Sequence, residues 1–577
     1  MTGFMGVISK EKQQLEYNFD IIIPSTTPRI EDKKIINGCW FKRSIVNKFI
    51  NDKIFVDSSD IFICTDGIIL NSTPLMNTLK LNDIFHLLQD LYYQNPATFP
   101  LQLRGSFSGA IYDKKQDEWI IFNDHVGSKP VFYFFDEINK IFIFGSEFKM
   151  VLKGMRAIDL NPRMSETGAY CLLSFGYMLE DHTLVEGIKR LPPGSILKYQ
   201  EGRISIFQYY QLKNTPYINL PEEQIIEELD KRFQLAIKAE YEKDLEYGYK
   251  HIATLSGGLD SRMNVLYGKK TGISNMLTIC FSQSNYADEN ISKQIASDWG
   301  YAYLFFSLDN GNYLKDIDKY ILINDGLVYY TGAAHQYSML ELINWIDLGL
   351  LHTGEIGDLI MGSYLLDPKH HDINESIINR ITSSKKLIGR IPNKIMSDIK
   401  NAYPNDEIFA FYERCVNGVF NGYRNIEQFT EASSPFLYVD FLDYAIKIHP
   451  KKRFHEQIYL DWIQKKSPEI QKYVWEKTGV KPGAGYWGKK LYGIFRFLRA
   501  KYLGKNNRHM MAPSEYWYKS NFSLRNCFEL YYRDNISNLN EYPKLKEDAK
   551  ILFEEGNFQD KRLVLSLLAA MKLHKLK

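Results

Sequence analysis

One stretch narrows the choice of fold more than any other: His251-Ile-Ala-Thr-Leu-Ser-Gly-Gly-Leu-Asp-Ser-Arg262. Ile252 to Leu255 read as a buried strand, Ser256-Gly257-Gly258 as a tight turn, and Asp260 to Tyr267 as the start of a helix. A strand feeding a helix through glycines belongs to a parallel α/β sheet, where ligands collect at the carboxyl ends of the strands. Glycines let backbone N–H groups approach an anion, and the helix N-terminus adds positive partial charge. Ser256 and Ser261 supply hydroxyls. This is not a Walker loop, since no GxxxxGK[ST] spacing is present and no Lys follows the glycines. Asp260 stands there instead, a hard oxygen ligand suited to Mg²⁺ on phosphates.

The strand–SGGxDS–helix unit resembles the signature of ATP pyrophosphatases, which cut ATP to AMP and pyrophosphate. Further on, Leu348-Gly-Leu-Leu-His-Thr353-Gly-Glu-Ile-Gly-Asp358 is a second apolar run ending in a glycine turn with two acids. Alone it reads as a solvated loop. Beside the first motif, on one sheet edge, Asp358 can approach the metal of Asp260, and Glu355 can act as an acid/base or orient an amine.

The rest of the chain is organised around these motifs. Up to about residue 210 it reads mostly as short strands: Gly6–Ile8, Asp60–Leu70, Gly105–Asp113, Trp119–Phe122, Val131–Phe135 and Lys140–Gly145. One helix fits Asn82–Tyr93. After Pro216 the pattern changes, and a helix opens near Pro221 with Ile225, Ile226, Leu229, Phe233, Ala236 and Ile237 at helical spacing. The expected boundary gives domains of residues 1–214 and 215–577, the second with a parallel α/β core and a mostly helical end.

Composition excludes several classes. A net charge of +2 argues against wrapping nucleic acid. Six scattered cysteines form no CxxC or Cys/His cluster, which excludes a disulfide scaffold. No apolar run is long enough for a membrane span, and the first residues lack a secretory layout. A soluble cytoplasmic protein is the expectation.

Both motifs resemble the asparagine synthetase family. Thr353-Gly-Glu-Ile-Gly-Asp-Leu-Ile-Met-Gly-Ser-Tyr364 resembles its SGEGADELFGGY, Tyr286-Ala-Asp-Glu289 its YDE segment, and Glu431-Ala-Ser-Ser-Pro-Phe-Leu437 its EARVPFLD. Earlier, Leu103–Asp113, Asn123–Tyr133, Gly145–Lys149 and Leu191-Pro-Pro-Gly194 match stretches of its glutaminase domain in the same order. The resemblance implies an N-terminal αββα sandwich of the N-terminal-nucleophile hydrolase type and a C-terminal ATP-pyrophosphatase domain. It also implies that a carboxylate, aspartate by family default, is adenylated and passed to ammonia or an amine. ATP would be bound by Leu255, Ser256, Gly257, Gly258, Asp260, Ser261, Thr353 and Gly354, with Mg²⁺ on Asp260 and Asp358 and Glu355 as the catalytic residue. Small carboxylate and amine substrates are the expected partners, and a homodimer stays open.

Departures matter as much. The family's MCGI start is Met1-Thr2-Gly3-Phe4, so Thr2 replaces the nucleophilic cysteine, and a hydroxyl is far less nucleophilic at neutral pH. The NGE glutamine-binding stretch is Asp66-Gly67-Ile68. Together these suggest an inactive glutaminase. Arg262 stands where the family has Ser, Leu359 follows Asp358 in place of Glu, and only Arg424 matches the region of the family's catalytic Lys. Branches that lost glutaminase include β-lactam synthetases and lasso-peptide cyclases, and members linked to surface-polysaccharide gene clusters are candidates for amidating sugar acids, so an amide ligase or cyclase on a peptide, sugar acid or other carboxylate is the first alternative. A nucleotide-binding scaffold without turnover is the second.

Three lesser features complete the reading. Lys489 to Arg508 holds seven basic residues and no acid, and reads as a basic helix packed by its apolar face. His370-His371-Asp372 is a weak metal candidate. Cys280 reads as a buried strand residue beside the nucleotide pocket.

Overall fold

The computed structural model describes residues 3–9, 27–332, 334–484 and 510–576. Thr2 and the basic Lys489–Arg508 segment lie outside them. The first half holds two six-stranded sheets. One is ordered β10 (Ile188–Arg190), β8 (Phe132–Asp136), β9 (Ile141–Gly145), β1 (Gly3–Ile8), β3 (Cys39–Val46), β2 (Arg29–Ile36). The other runs β12 (Arg203–Gln208), β11 (Ser195–Gln200), β7 (Glu118–Asn123), β6 (Gly105–Asp113), β5 (Ile61–Ile69), β4 (Phe55–Asp57). Every pairing in both is antiparallel.

Aromatic residues fill the space between the sheets. Phe41 lies parallel to Trp119 with centroids 5.8 Å apart and edge-on to Phe62 at 5.1 Å, with Phe4 and Phe144 beside them. Helices α1 (Ser72–Leu79) and α2 (Ile84–Gln94) pack outside the second sheet, where Leu87, Leu88 and Leu91 meet Ile61, Ile63 and Ile120. Helices α3 (Phe148–Ala157) and α4 (Glu166–Phe175) cover the first, so the half is an αββα sandwich.

The second half is a five-stranded parallel sheet ordered β15 (Ala302–Ser307), β14 (Met276–Ser282), β13 (Lys250–Thr254), β16 (Leu348–His352), β17 (Ala432–Ser433). Helix α5 (Glu222–Glu246) buries the apolar stripe seen in the sequence, Ile225 through Ile237. Helices α6 (Leu259–Lys270) and α7 (Ala287–Trp299) follow β13 and β14. The chain ends in helices, of which Phe558–His574 is opened by an Asn557/Asp560 capping box and is apolar on most sides. It packs on α4, so both halves share one core. Among the described residues no helix is long and apolar enough to cross a membrane.

The halves are also tied by polar contacts. Lys48 Nζ donates to the carbonyls of Ile346 and Leu348 at 2.7 and 2.9 Å. Arg104 holds both oxygens of Asp440 at 2.9 Å. Lys129 sits fully buried within 3.0 Å of Glu427 and 2.7 Å of Glu431, and Glu431 also meets Lys53 at 2.6 Å.

Candidate active site

Strand β13 delivers Leu255 to the sheet's carboxyl edge, where its N–H donates to Ile279 O at 2.9 Å. The turn that follows is built by its own serines. Ser256 N–H donates to Ser261 Oγ at 3.0 Å, and Gly258 N–H to Ser256 Oγ at 3.1 Å. The N–H of Gly257 donates to Asp288 Oδ1 at 2.7 Å, so a carboxylate from the start of α7 occupies one donor of the turn. Burial is the main reason that Asp288 is pushed up to about 6. Arg262, wholly buried, braces the turn from beneath with Nη2 on the carbonyls of Gly257 (2.6 Å) and Val474 (2.5 Å).

The second motif folds onto the first. Thr353 is fixed to β17 through its N–H and Oγ1, both donating to Ser433 O at 2.8 and 3.1 Å. Gly354 crosses the head of α6 so closely that a Cβ there would lie 2.5 Å from the carbonyl carbon of Asp260. A Cβ on Gly357 would lie 2.6 Å from Asp260 Cγ. Only glycine allows this approach. Asp358 N–H then donates to Asp260 Oδ2 at 2.9 Å, and Tyr459 OH to Asp260 Oδ1 at 2.8 Å. Burial and then the Asp358 carboxylate hold Asp260 well above the usual carboxylate range. Glu355 is pushed up to about 7 by burial and by Asp358. Its backbone carbonyl accepts from Ser434 Oγ at 2.9 Å, and the residue lines a cavity of about 240 Å³.

All ten residues singled out from the sequence therefore fall in one patch at the carboxyl edge of the parallel sheet. A cleft of about 860 Å³ lies elsewhere, between the Arg190–Pro193 turn and residues 394–417. Its lining includes none of the ten. Asp288, Tyr459 and the bracing role of Arg262 were not foreseen from the sequence. The YDE resemblance was the one signal that pointed near Asp288.

Behind the second motif, His251 Nδ1 and His352 Nε2 share Asp244 Oδ2 at 2.9 and 2.8 Å, and Tyr241 stacks on His352 at 3.9 Å. Burial opposes the charge on His352, but Asp244 and Glu240 raise it to about 9. His370 and His371 have separate carboxylate partners, Glu407 at 2.9 Å and Asp367 at 2.5 Å. Cys280 is buried in β14, and burial pushes its thiol up to about 12. Arg424 is not in the patch. It lies between the halves, 3.3 Å from Glu427 and 3.8 Å from Glu147.

Comparison with known proteins follows the same division. Residues 57–210 match the glutamine amidotransferase domain family, and residues 228–462 match asparagine synthase. The chain belongs to the asparagine synthetase family. Relatives include a protein of Methanocaldococcus jannaschii named as a glutamine-hydrolysing asparagine synthetase. It is 24% identical over 368 residues, which is 61% of this chain and 68% of that protein. Asparagine synthetase B, glutamine-hydrolysing, of Escherichia coli is 22% identical over 388 residues, 63% of this chain and 57% of its own length. The family is one of ATP-dependent amide-forming ligases, and the αββα and parallel α/β halves are arranged as the resemblance implied.

In the first half, the stretch Asp66-Gly67-Ile68 is packed against other parts of the protein. Ile68 packs with Phe49, Leu70 and Leu350 of the other half. Asp66 lies 3.7 Å from the buried Lys129. Phe4 N–H donates to Ser146 Oγ at 3.0 Å.

Proposed function

We propose that the chain is an AMP-forming amide ligase working at the Asp260/Glu355/Asp358 patch. The observation that carries this is the packing of Gly354 and Gly357 onto Asp260, which sets a phosphate-type turn and a carboxylate-bearing turn on one sheet edge. An acceptor carboxylate oxygen attacks the α-phosphorus of ATP, and the bond to the bridging oxygen breaks, releasing pyrophosphate. Ammonia or an amine attacks the acyl-AMP carbon, loses a proton, and AMP departs as the amide forms. Leu255 to Ser261, with Thr353 and Gly354, form the nucleotide pocket in this reading. Their remaining backbone N–H groups and the α6 N-terminus meet the phosphates.

The donor set fits a hard divalent cation. Asp260 and Asp358 stand side by side, and no salt bridge to a lysine or arginine engages either carboxylate among the described residues. Bound there, Mg²⁺ would supply charge neutralisation at the phosphates. Glu355, with its carboxyl raised towards neutrality, can take the amine's proton.

The reading is tested by measuring Mg²⁺-dependent pyrophosphate and AMP release from ATP with aspartate and ammonium, scoring asparagine in the same reaction. Equal amounts of AMP and pyrophosphate are expected with an accepted acid. Folded protein that binds no ATP would overturn it.

A further inference from the structure

We infer that the cavity beside Glu355 takes a hydroxylated diacid lacking an ammonium group, and that Arg414 binds the carboxylate that does not react. The inference rests on the adenylating reading of the neighbouring turn.

The cavity opens past the carboxyl ends of β14 and β16, with Phe281 and Glu355 at that edge and Tyr329, Gln336, Arg414 and Asn421 among its other walls. Its volume of about 240 Å³ equals roughly eight waters' share of the liquid, which suits a small acid. Among the described lining residues Glu355 is the one acid and Arg414 the one arginine or lysine. The remaining titratable base, His335, is held neutral near pH 7, because burial pushes it down to about 4.

Arg414 differs from Arg424 and Arg453 in its partners. Arg424 has Glu427 and Glu147, and Arg453 has both oxygens of Glu407. Arg414 has no carboxylate within 4.0 Å among the described residues. Its neighbours are the Tyr364 hydroxyl and the Tyr177 ring, whose centroid lies 5.7 Å away. A half-buried guanidinium held by phenols alone is short of a counter-charge. Its planar fork matches a carboxylate with two parallel hydrogen bonds.

The same census argues against an amino acid. An ammonium drawn into this space needs a carboxylate, and the one available, Glu355, stands at the reacting end. Hydroxyls need only mixed donors and acceptors, which the amides of Gln336 and Asn421 and the phenol of Tyr329 supply.

L-Malate and L-aspartate differ only in hydroxyl against ammonium, so they form the decisive pair. Acid-dependent pyrophosphate release would be measured with both, with D-glucarate as a longer hydroxylated diacid and glycerate as a monoacid. Malate or glucarate is expected to exceed aspartate in kcat/KM by about tenfold or more, the worth of one unpaired buried charge. Arg414→Met should raise the diacid KM about 10- to 100-fold and leave the KM for ATP unchanged, with Arg414→Lys between. Glycerate turnover should be indifferent to the substitution. Aspartate matching malate and glucarate, or a diacid KM unmoved in Arg414→Met, overturns the proposal. Binding read by thermal shift separates the two readings. Malate or glucarate raising the Tm of wild type but not of Arg414→Met, with no pyrophosphate from any acid, would sink the ligase chemistry and leave the pocket assignment standing. No shift with any diacid and no turnover would sink both.

Discussion

The backbone N–H of Asp358 donates to Asp260 Oδ2 at 2.9 Å, so the Asp358 side chain takes no part in this bond between the two turns of the candidate active site. Because the bond comes from the main chain, Asp358→Asn keeps it while removing the carboxylate charge. Mg²⁺-dependent pyrophosphate release should fall by about 100-fold or more, as for a lost metal-binding carboxylate, while the urea midpoint barely moves. Gly354→Ala tests the geometry instead. Its methyl would meet the Asp260 backbone at 2.5 Å, and backbone cannot swing aside as a side chain can. The expected result is a raised KM for ATP in a folded protein. Normal ATP kinetics in both variants would place the nucleotide elsewhere.

Ile356 carries a second testable strain. Its φ is +71°, the left-handed region, and its side chain is buried. A β-branched residue is disfavoured there by about 1–2 kcal/mol. The matching position of the family motif is Gly. Glycine ordinarily destabilises a site relative to alanine, but at positive φ the order inverts. Ile356→Gly and Ile356→Ala both lose the same packing. In urea unfolding the glycine variant should therefore be the more stable of the two, by about 1 kcal/mol. An alanine variant equal to or above it would refute the strained conformation.

The junction between the halves should show acid sensitivity. Burial alone would raise Glu431, but Lys129 and Lys53 hold it down at about 2, below the unfolded value near 4.3. A depressed carboxyl contributes stability that is present above the unfolded pKa and lost as pH falls through the folded one. Glu431→Gln should thus be destabilised by about 3 kcal/mol at pH 7, since it leaves buried lysines short of a partner. Its deficit should shrink below pH 4.5 and disappear towards pH 2. Urea titrations of both proteins across that range provide the check, and a deficit independent of pH would show that Glu431 acts by shape alone.

What the sequence disclosed and what it hid have physical causes. The strands β13 and β16 and the turns after them were readable because each is a local apolar run closed by glycines. Strand β5 and helix α2 were readable for similar local reasons. Strand β2, Arg-Ile-Glu-Asp-Lys-Lys-Ile-Ile, was missed because it is an edge strand whose charges obscure its alternation. Helix α4 was missed because its apolar residues leave little periodicity once it is buried on most sides. In the site, Asp288 reaches Gly257 and Tyr459 reaches Asp260 across long stretches of chain, and no local pattern records such meetings. Arg414 lies in a π-helical segment, Ala410–Val419, whose irregular turn spoils helical spacing.

Ile68 bears on the proposed amine supply. Where the family motif has Glu, this side chain is wholly buried against Phe49, Leu70 and Leu350, so no carboxylate faces a glutamine ammonium at that position. Beside it Asp66 is engaged near Lys129, whose other partners, Glu427 and Glu431, come from the ligase half. We propose on these grounds that the first half serves the second as a packing partner. Ammonium or a primary amine should support amide formation, and added glutamine should yield neither extra product nor glutamate. Ile68→Glu should not create a clamp, because a carboxylate in that apolar cluster destabilises the protein by several kcal/mol unless it is neutralised. Glutamate release is the readout. If wild type releases glutamate from glutamine and Thr2→Ala abolishes it, the chain retains a hydroxyl-dependent glutaminase and the packing-partner reading fails. If no glutamate forms while ammonium drives turnover, the two activities have been uncoupled by the loss of one substrate-binding charge.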